Sequence, residues 1–431
     1  MTATRFRPSP VCPGPVDLID LSFEDNLLDK LIAYWGEYGD CFVVRSAAAR
    51  DPIYVLCHPD LARQVLVTNH ANYTKGIGID RVRILLGNGL MASEGDFWHR
   101  QRRMIQPGFH RATLAGLTAH ITAANEALVA RWTQRARERQ PVNVTADVSE
   151  LSLDIVLHAL FSEDVADLVG DDHPFSILTG ETGRNLQFAR KFRALGVQIG
   201  ALIERRLRED RLPEDLLTLL LHARDRKTGE PMSRRELMDE ILTLIVAGHE
   251  TTASALNWLW YLLAQHPEAG ERLHQDSVRC AREAVAIPPA DSYTLRALRE
   301  TLRLYPPGWL ITKRAKGDDR IGPYAIPAGA EIFVPVYLLH RHPGFWSAPG
   351  HFDPDRFASG REPLNRHAYL PFSAGPRACI GDGFALLEME IHARTVARTL
   401  RLDAIAGPPV ELEPQINLRT RQPLSFQPVL R

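Results

Sequence analysis

Phe372-Ser-Ala-Gly375-Pro-Arg377-Ala-Cys379-Ile-Gly381 sets one cysteine between two glycines, where an irregular stretch gives way to helical spacing running from Cys379 to Leu400. Glycine admits positive φ and close backbone approach, so this loop can fold tightly around another group. A cysteine at the start of a helix feels the positive end of the dipole and unpaired N–H groups, and both favour thiolate over thiol. A thiolate is the ligand that an electron-rich iron site needs. Arg377 can pair with an anionic group on the same ligand, and Phe372 can shield the sulfur from water. A cysteine met alone is most often a small buried hydrophobe, but that reading leaves the glycine–arginine frame unexplained.

Upstream, Ala247-Gly248-His249-Glu250-Thr251-Thr252 interrupts the longest apolar helical run, Leu237 to Ala264. Such a helix is ~42 Å long. It is apolar almost all round and so predicted to be buried, and the polar residues at its centre exclude a membrane span. Glycine costs ~1 kcal/mol against alanine in a helix interior, and an unpartnered glutamate is costly there. A threonine hydroxyl can bond back to a preceding carbonyl and bend the helix. The group predicts a local widening beside a bound ligand, with an acid and an alcohol placed to relay protons. A polar patch at a helix crossing is the plainer alternative.

Glu300-Thr-Leu-Arg303 puts opposite charges on one helix face, which alone is worth only ~0.2–0.5 kcal/mol. Arg356, in Phe352-Asp-Pro-Asp-Arg356-Phe357, can make the pair a buried triad that pins the long unperiodic stretch Arg341 to Pro371. In Trp98-His-Arg-Gln-Arg102-Arg103, Trp98 and Arg102 stand one turn apart and can bind carboxylates at the edge of a cofactor. Arg100 and Arg103 can face an acidic protein partner, or the whole segment is a solvated basic face.

The rest of the 431-residue chain suits a globular helical protein. Helical spacing is read over Phe23–Tyr38, Thr113–Arg139, Ala146–Phe161, Phe188–Arg208 and Thr294–Tyr305, the last stopped by Pro306 and Pro307. Cys41–Arg45 and Ile53–Cys57 read as a hairpin, and Asp60 as the cap of a helix through Val67. The 51 basic and 52 acidic residues give no global argument for nucleic acid or an anionic membrane surface. Five widely spaced cysteines argue against a disulfide framework or zinc site and fit a reducing cytosol. The N-terminus carries no signal-peptide core and no stretch long enough to span a bilayer.

In this order the four constellations resemble the cytochrome P-450 superfamily, and the likeness runs from the strand pair at Cys41 to the tail. The loop matches F-x-x-G-x-R-x-C-x-G at every fixed position: Phe372, Gly375, Arg377, Cys379 and Gly381. Ala247 to Thr252 match A-G-x-[DE]-T-T, and Trp98 with Arg102 match W-x-x-x-R. Glu300 and Arg303 match E-x-x-R, with Arg356 where its third charged partner belongs.

The resemblance implies a mainly α fold: a helical triangular prism with a small β-rich lobe, one domain over 1–431 without a fused reductase. The lobe is expected over about 40–58, 311–336 and 402–429. The implied cofactor is haem b with Cys379 as proximal iron ligand, Trp98, Arg102 and Arg377 on its propionates, Phe372, Gly375 and Gly381 around the thiolate, and Gly248 on the distal helix. Thr251 and Glu250 would organise water and deliver protons. The implied reaction inserts one oxygen atom of O2 into a C–H bond of a hydrophobic small molecule. Electrons would come from NAD(P)H through a ferredoxin or flavodoxin with its reductase. The implied pocket wall comprises Ile77 to Leu90, the region near Phe188, Ala247, Trp309, Leu310, Ile311 and Ile416. Its apolar character suits a terpenoid, fatty acyl chain, steroid or polyketide, and the segment after Pro307 leans to terpenoid or fatty-acyl substrates. A cytoplasmic monomer with no nucleic-acid partner and no membrane anchor is expected. The alternatives are a peroxide-driven peroxygenase or an isomerase on the same fold, a non-catalytic haem sensor or carrier, and a haem-free helical protein.

Overall fold

A computed structural model describes residues 10–19, 27–47, 49–168, 186–283, 291–361 and 365–431. The first turn expected for the opening helix, 23–26, and the side chain of Phe188 lie outside what is described. In chain order the longer helices are α1 (Leu27–Tyr38), α2 (Ile79–Leu86), α3 (Gly95–Ile105), α4 (Arg111–Arg137), α5 (Val144–Phe161), α6 (Leu186–Arg206), α7 (Arg234–Gln265), α8 (Pro267–Arg282), α9 (Tyr293–Leu304) and α10 (Asp382–Thr399). The strands are β1 (Cys41–Val44), β2 (Ile53–Leu56), β3 (Tyr73–Lys75), β4 (Val142–Asn143), β5 (Ile311–Ala315), β6 (Asp319–Ile321), β7 (Tyr324–Ile326), β8 (Glu331–Val334), β9 (Leu400–Ala404), β10 (Leu412–Pro414), β11 (Leu418–Thr420) and β12 (Ser425–Leu430).

The fold is mainly helical, with the strands gathered mostly where the sequence placed them. β1 and β2 form the expected hairpin, Cys41 opposite Leu56. It extends into a five-stranded sheet in the order β1-β2-β8-β5-β3, in which β2 and β8 run parallel. A second sheet, β4-β12-β9, ties the C-terminal tail to the entry of α5. The helix after β2 is capped by the His58 side chain, which accepts from the Asp60 N–H, so Asp60 is not the cap; its last turn, Gln64–Thr68, is a π-turn.

α7 has 32 residues and a length of about 48 Å. It begins in a reciprocal cap: the Glu236 N–H donates to Ser233 Oγ, and the Ser233 N–H donates to the Glu236 carboxylate. It packs mainly on α5, and both bury apolar residues on most sides. The predicted widening at 247–252 is absent: α-helical geometry runs unbroken, and the Thr251 and Thr252 hydroxyls donate to the carbonyls of Ala247 (2.9 Å) and Gly248 (3.2 Å). A Cβ on Gly248 would meet Val156 Cγ2 on α5 at 3.1 Å. Gly248 therefore lets two helices approach and does not clear room on a ligand face.

The charged brace forms as read. On α9, Arg303 donates twice to Glu300 (2.7 and 2.8 Å), and Arg356 Nε donates to the same carboxylate at 3.2 Å, all three residues being buried. Remaining guanidinium N–H groups reach the carbonyls of His340, Pro349 and His351 from Arg303, and Ala348 from Arg356. Pinned this way, the unperiodic stretch after Leu339 needs no regular hydrogen bonding of its own.

Candidate functional site

The loop carrying Cys379 is held at both ends. At its start, buried His340 hydrogen-bonds the Arg303 carbonyl through Nδ1 (3.1 Å) and accepts from the Leu370 N–H at Nε2 (2.7 Å). These partners fix the tautomer, and burial lowers its pKa to about 3, so the ring is neutral. At the bend, Ser373 and Gly375 both adopt positive φ (63° and 72°). A Cβ on Gly375 would lie 2.1 Å from the Leu66 carbonyl oxygen of the π-turn, so only glycine fits. The Cys379 N–H closes the loop on the Phe372 carbonyl at 2.9 Å.

Cys379 lies three residues before the first residue of α10, so the helix does not start at the cysteine. Its thiol keeps accessible surface although protein surrounds it on most sides, as for a group lining an internal recess. Burial raises its pKa; the Gly381 N–H, donating to the sulfur, and Arg102 oppose this, while Asp382 adds to it. The expected thiolate preference is thus not supplied by the chain alone. A coordinated cation deprotonates a thiol outright, so the sulfur fits a metal-bound state better than a free one.

Beside it lies a concentration of positive charge. Arg377 stacks over the Trp98 ring at 3.8 Å, donates to the Ser93 carbonyl at 2.9 Å and pairs with Glu94. Arg102 donates to the Ala378 carbonyl at 2.8 Å. Two lysines complete the group: Lys75 on β3 stands directly across from Lys313 on β5. Like charges in that register destabilise a sheet. Burial and the nearby Arg377 lower Lys75 to about 7 and Lys313 to about 8. Glu94 is the carboxylate acting on both lysines and on Arg377. Four cations gathered around so little negative charge fit a ligand that brings carboxylates, as a haem brings its propionates. The two lysines and Glu94 went unread in the sequence, because the β3–β5 register brings the lysines together and Glu94 joins them from the start of α3 by accepting from the Lys75 N–H at 2.8 Å.

The acid–alcohol pair stands on α7. The Thr251 hydroxyl commits its proton to Ala247 and keeps its lone pairs to accept. Glu250 accepts a 2.8 Å hydrogen bond from the Asn417 side-chain amide in the β10–β11 turn, a contact the motif did not disclose. His249, within the same motif, turns to the other side of α7, where Nε2 lies 3.2 Å from Ser149 Oγ and burial lowers its pKa to about 4.

Two expectations are corrected. Trp309 is 1% exposed in the core shared by α1 and the large sheet, and its indole N–H donates to the Gln415 carbonyl; it has no surface to offer a ligand. Leu310 and Ile311 are half-buried, Ala247 is half-buried, and Ile416, 53% exposed, stands at the tip of the β10–β11 turn. Arg100 is committed within the chain: it pairs with Glu236 at 2.8 Å and donates to the Pro231 carbonyl, fastening α3 to the start of α7. Arg103, partly exposed, pairs with Asp225 at 3.4 Å.

The segment 77–90 is fastened to α7 by its main chain. The Asn88 N–H donates to Asp239 and the Leu90 N–H to Glu240, both at 2.8 Å. Gly87 (φ 69°) and Gly89 have no room for a Cβ against Asp239 and Thr243.

The sequence profile described as Cytochrome P450 matches residues 8–188 and 173–427. Cyclooctatin synthase of Streptomyces melanosporofaciens is 34% identical over 99% of this chain and 96% of that protein. Cyclooctat-9-en-7-ol 5-monooxygenase of the same organism is 32% identical (88% and 86%), and pentalenene oxygenase of Streptomyces avermitilis 31% (85% and 83%). Among solved structures, the crystal structure of cytochrome P450DA heme domain superposes with a TM-score of 0.81 at 25% identity, covering 91% of this chain and 89% of that one.

Proposed function

The chain belongs to the cytochrome P450 family of haem-thiolate monooxygenases, and from that premise we propose that it hydroxylates a terpenoid with haem b held through Cys379. When bound, the haem supplies dioxygen activation at a thiolate-ligated iron. The observation that carries the site assignment is the accessible, enclosed thiol next to Arg102, on the loop whose Arg377 belongs to the cluster with Lys75 and Lys313. Arg102, Arg377 and Trp98 would hold the propionates, with the two lysines as additional partners. Phe372, Gly375 and Gly381 shape the loop around the sulfur.

Thr251 accepts a hydrogen bond from water in the recess, and Glu250 passes protons to that water from the side of the β10–β11 turn. Setting a carboxylate beside a hydroxyl suits a reaction in which the placement of a proton decides the outcome. Ala247, Leu310, Ile311 and Ile416 form the apolar substrate wall. The three relatives named for cyclooctatin, cyclooctat-9-en-7-ol and pentalenene support a terpenoid substrate over a fatty-acyl one. Family membership brings a redox partner; a ferredoxin or flavodoxin with its reductase, fed by NAD(P)H, fits best. No helix among the described residues is long and apolar enough to cross a membrane, and we place the enzyme in the cytoplasm as a single-domain monomer.

The reduced carbon monoxide adduct of the holoprotein should show the red-shifted Soret band of thiolate ligation, lost in Cys379→Ala. With NADPH, ferredoxin and its reductase, pentalenene and related terpene hydrocarbons should give singly oxygenated products. Turnover of palmitate in their place would overturn the terpenoid assignment, and turnover with peroxide alone would make the protein a peroxygenase.

A further inference from the structure

α7 presents one continuous face to the β10–β11 hairpin. Glu250, Ser254 and Trp258 recur every four residues along it, so their side chains rise on the same side. Ser254 Oγ and the Trp258 indole N–H both donate to the Leu418 carbonyl, at 2.7 and 3.1 Å. One turn further round, the Asn257 amide donates to Thr420 Oγ1 at 3.1 Å. The other side of the hairpin is equally tied: the Leu418 N–H donates to the Pro307 carbonyl (2.9 Å), and Trp309 donates to the Gln415 carbonyl (2.8 Å). Residues 415 to 418 are therefore fixed to α7 on one side and to the segment after α9 on the other.

Out of this fixed turn Asn417 reaches Glu250. The side chain immediately before it is Ile416, the exposed apolar tip. One rigid turn thus carries both a substrate-wall residue and the donor that orients the acid. We infer that Asn417 is a positioning residue: its amide holds the Glu250 carboxylate in the orientation from which it delivers protons, so the hairpin that touches substrate also sets the proton donor. This rests on the reading of Glu250 as the proton-delivering acid. A side-chain amide suits the task, because it donates without adding charge and does not itself take up or release a proton near neutral pH. It also explains why a hairpin with a three-residue turn is bound to α7 at so many points: a loose turn could not aim a carboxylate.

The test is a double-mutant cycle on the holoprotein that needs no knowledge of the substrate. Dithionite-reduced wild type, Asn417→Ala, Glu250→Gln and the double variant are mixed with air-saturated buffer. The rate of return to the ferric spectrum is followed by stopped flow in H2O and D2O, with imidazole binding to the ferric protein as control. Asn417→Ala should slow the proton-dependent rate about tenfold, a fraction of what a general acid contributes in full, and change the solvent isotope effect. Imidazole affinity should stay within about twofold. In the Glu250→Gln background the Asn417 change should have no further effect, because coupled residues do not add. Asn417→Asp, equal in size, should slow the rate at least as much by setting a second carboxylate against Glu250; it serves where the alanine variant is poorly folded. If Glu250→Gln itself leaves the rate unchanged, the acid assignment fails and this inference with it. If Glu250→Gln slows the rate but the Asn417 variants do not, or their effects add to it, Asn417 is structural and the inference alone fails.

Discussion

Lys75 and Lys313 show how a residue's meaning can depend on a partner far along the chain. Neither stands in a motif; each is a lysine in a short strand until the register of β3 and β5 sets them opposite one another. Lys75 titrates near 7 in the folded chain against an ordinary 10.5. The unfolded chain therefore binds more protons over that range, and the folded protein bears the full cost of the buried charge below about pH 7, shedding it as pH rises towards 10.5. Lys75→Met should accordingly stabilise the haem-free protein, with a larger rise in guanidinium midpoint at pH 6 than at pH 10. The same change should speed haem loss to an apomyoglobin acceptor, since an anionic ligand loses a partner. The motif residues Cys379, Arg377, Trp98, Arg102, Glu250 and Thr251 stand out in the sequence as candidates because each belongs to a pattern spaced along one segment. Lys75, Glu94 and Asn417 act between segments, and no local spacing marks them.

At the scale of elements, the brace on α9 and the cysteine loop meet at His340, one neutral ring bridging the Arg303 carbonyl and the Leu370 N–H. His340→Leu leaves both groups buried and unpaired, a loss of about 2–6 kcal/mol at about 1–3 kcal/mol each. Thermal melts should show a lower midpoint for the holoprotein, and a larger P420-type fraction should appear in its reduced carbon monoxide spectrum as the loop loosens. α7, α9 and the β1–β2 hairpin were legible because each carries a long or clean apolar period. α8 was not assigned from sequence: its buried stripe consists of Ala269, Leu273, Asp276, Ser277 and Cys280, too small and polar to stand out. β3 and β4 have three and two residues, too short for a period, and exist by pairing with strands more than 200 residues away. The widening expected in α7 failed for a different reason: glycine and two threonines are compatible with helical bending, but here the hydroxyls satisfy themselves on the preceding turn and the glycine serves helix packing.

Across the whole molecule, two sets of buried groups oppose one another in their response to pH. Burial lowers His249 to about 4 and His340 and His392 to about 3, from 6.5. The unfolded chain binds more protons than the folded one below pH 6.5, so stability falls as pH drops from there towards 3. Burial raises Glu240 and Glu388 to about 8 and Glu390 to about 7, from 4.5. Here the folded chain binds more protons, and stability falls as pH rises from 4.5 towards 8. Between 4.5 and 6.5 the two slopes offset; outside that window one set acts without the other, with Lys75 and Lys313 tempering the alkaline side. Guanidinium midpoints of the haem-free protein, taken at constant ionic strength, should be nearly level from about pH 4.5 to 6.5 and lower at pH 3.5 and pH 8. A steady rise from pH 5 to 8 would contradict these protonation states.

The way 77–90 is attached bears on how such an enzyme changes its diet. Asp239 and Glu240 grip main-chain N–H groups, and Gly87 and Gly89 supply the contact by having no side chain. The fastening thus leaves the exposed positions of α2, such as Ile84, unconstrained, while Leu86 is buried in the main core and Arg83 donates to the Ala92 carbonyl, so the outer face of α2 behaves as an interchangeable cassette clipped to a permanent mount. Random libraries over the exposed positions of α2, with Leu86 kept, should hold their fold at high frequency while diverging in what they bind, whereas the mount itself tolerates little, which makes that face of α2 a natural place for selection, or an engineer, to begin.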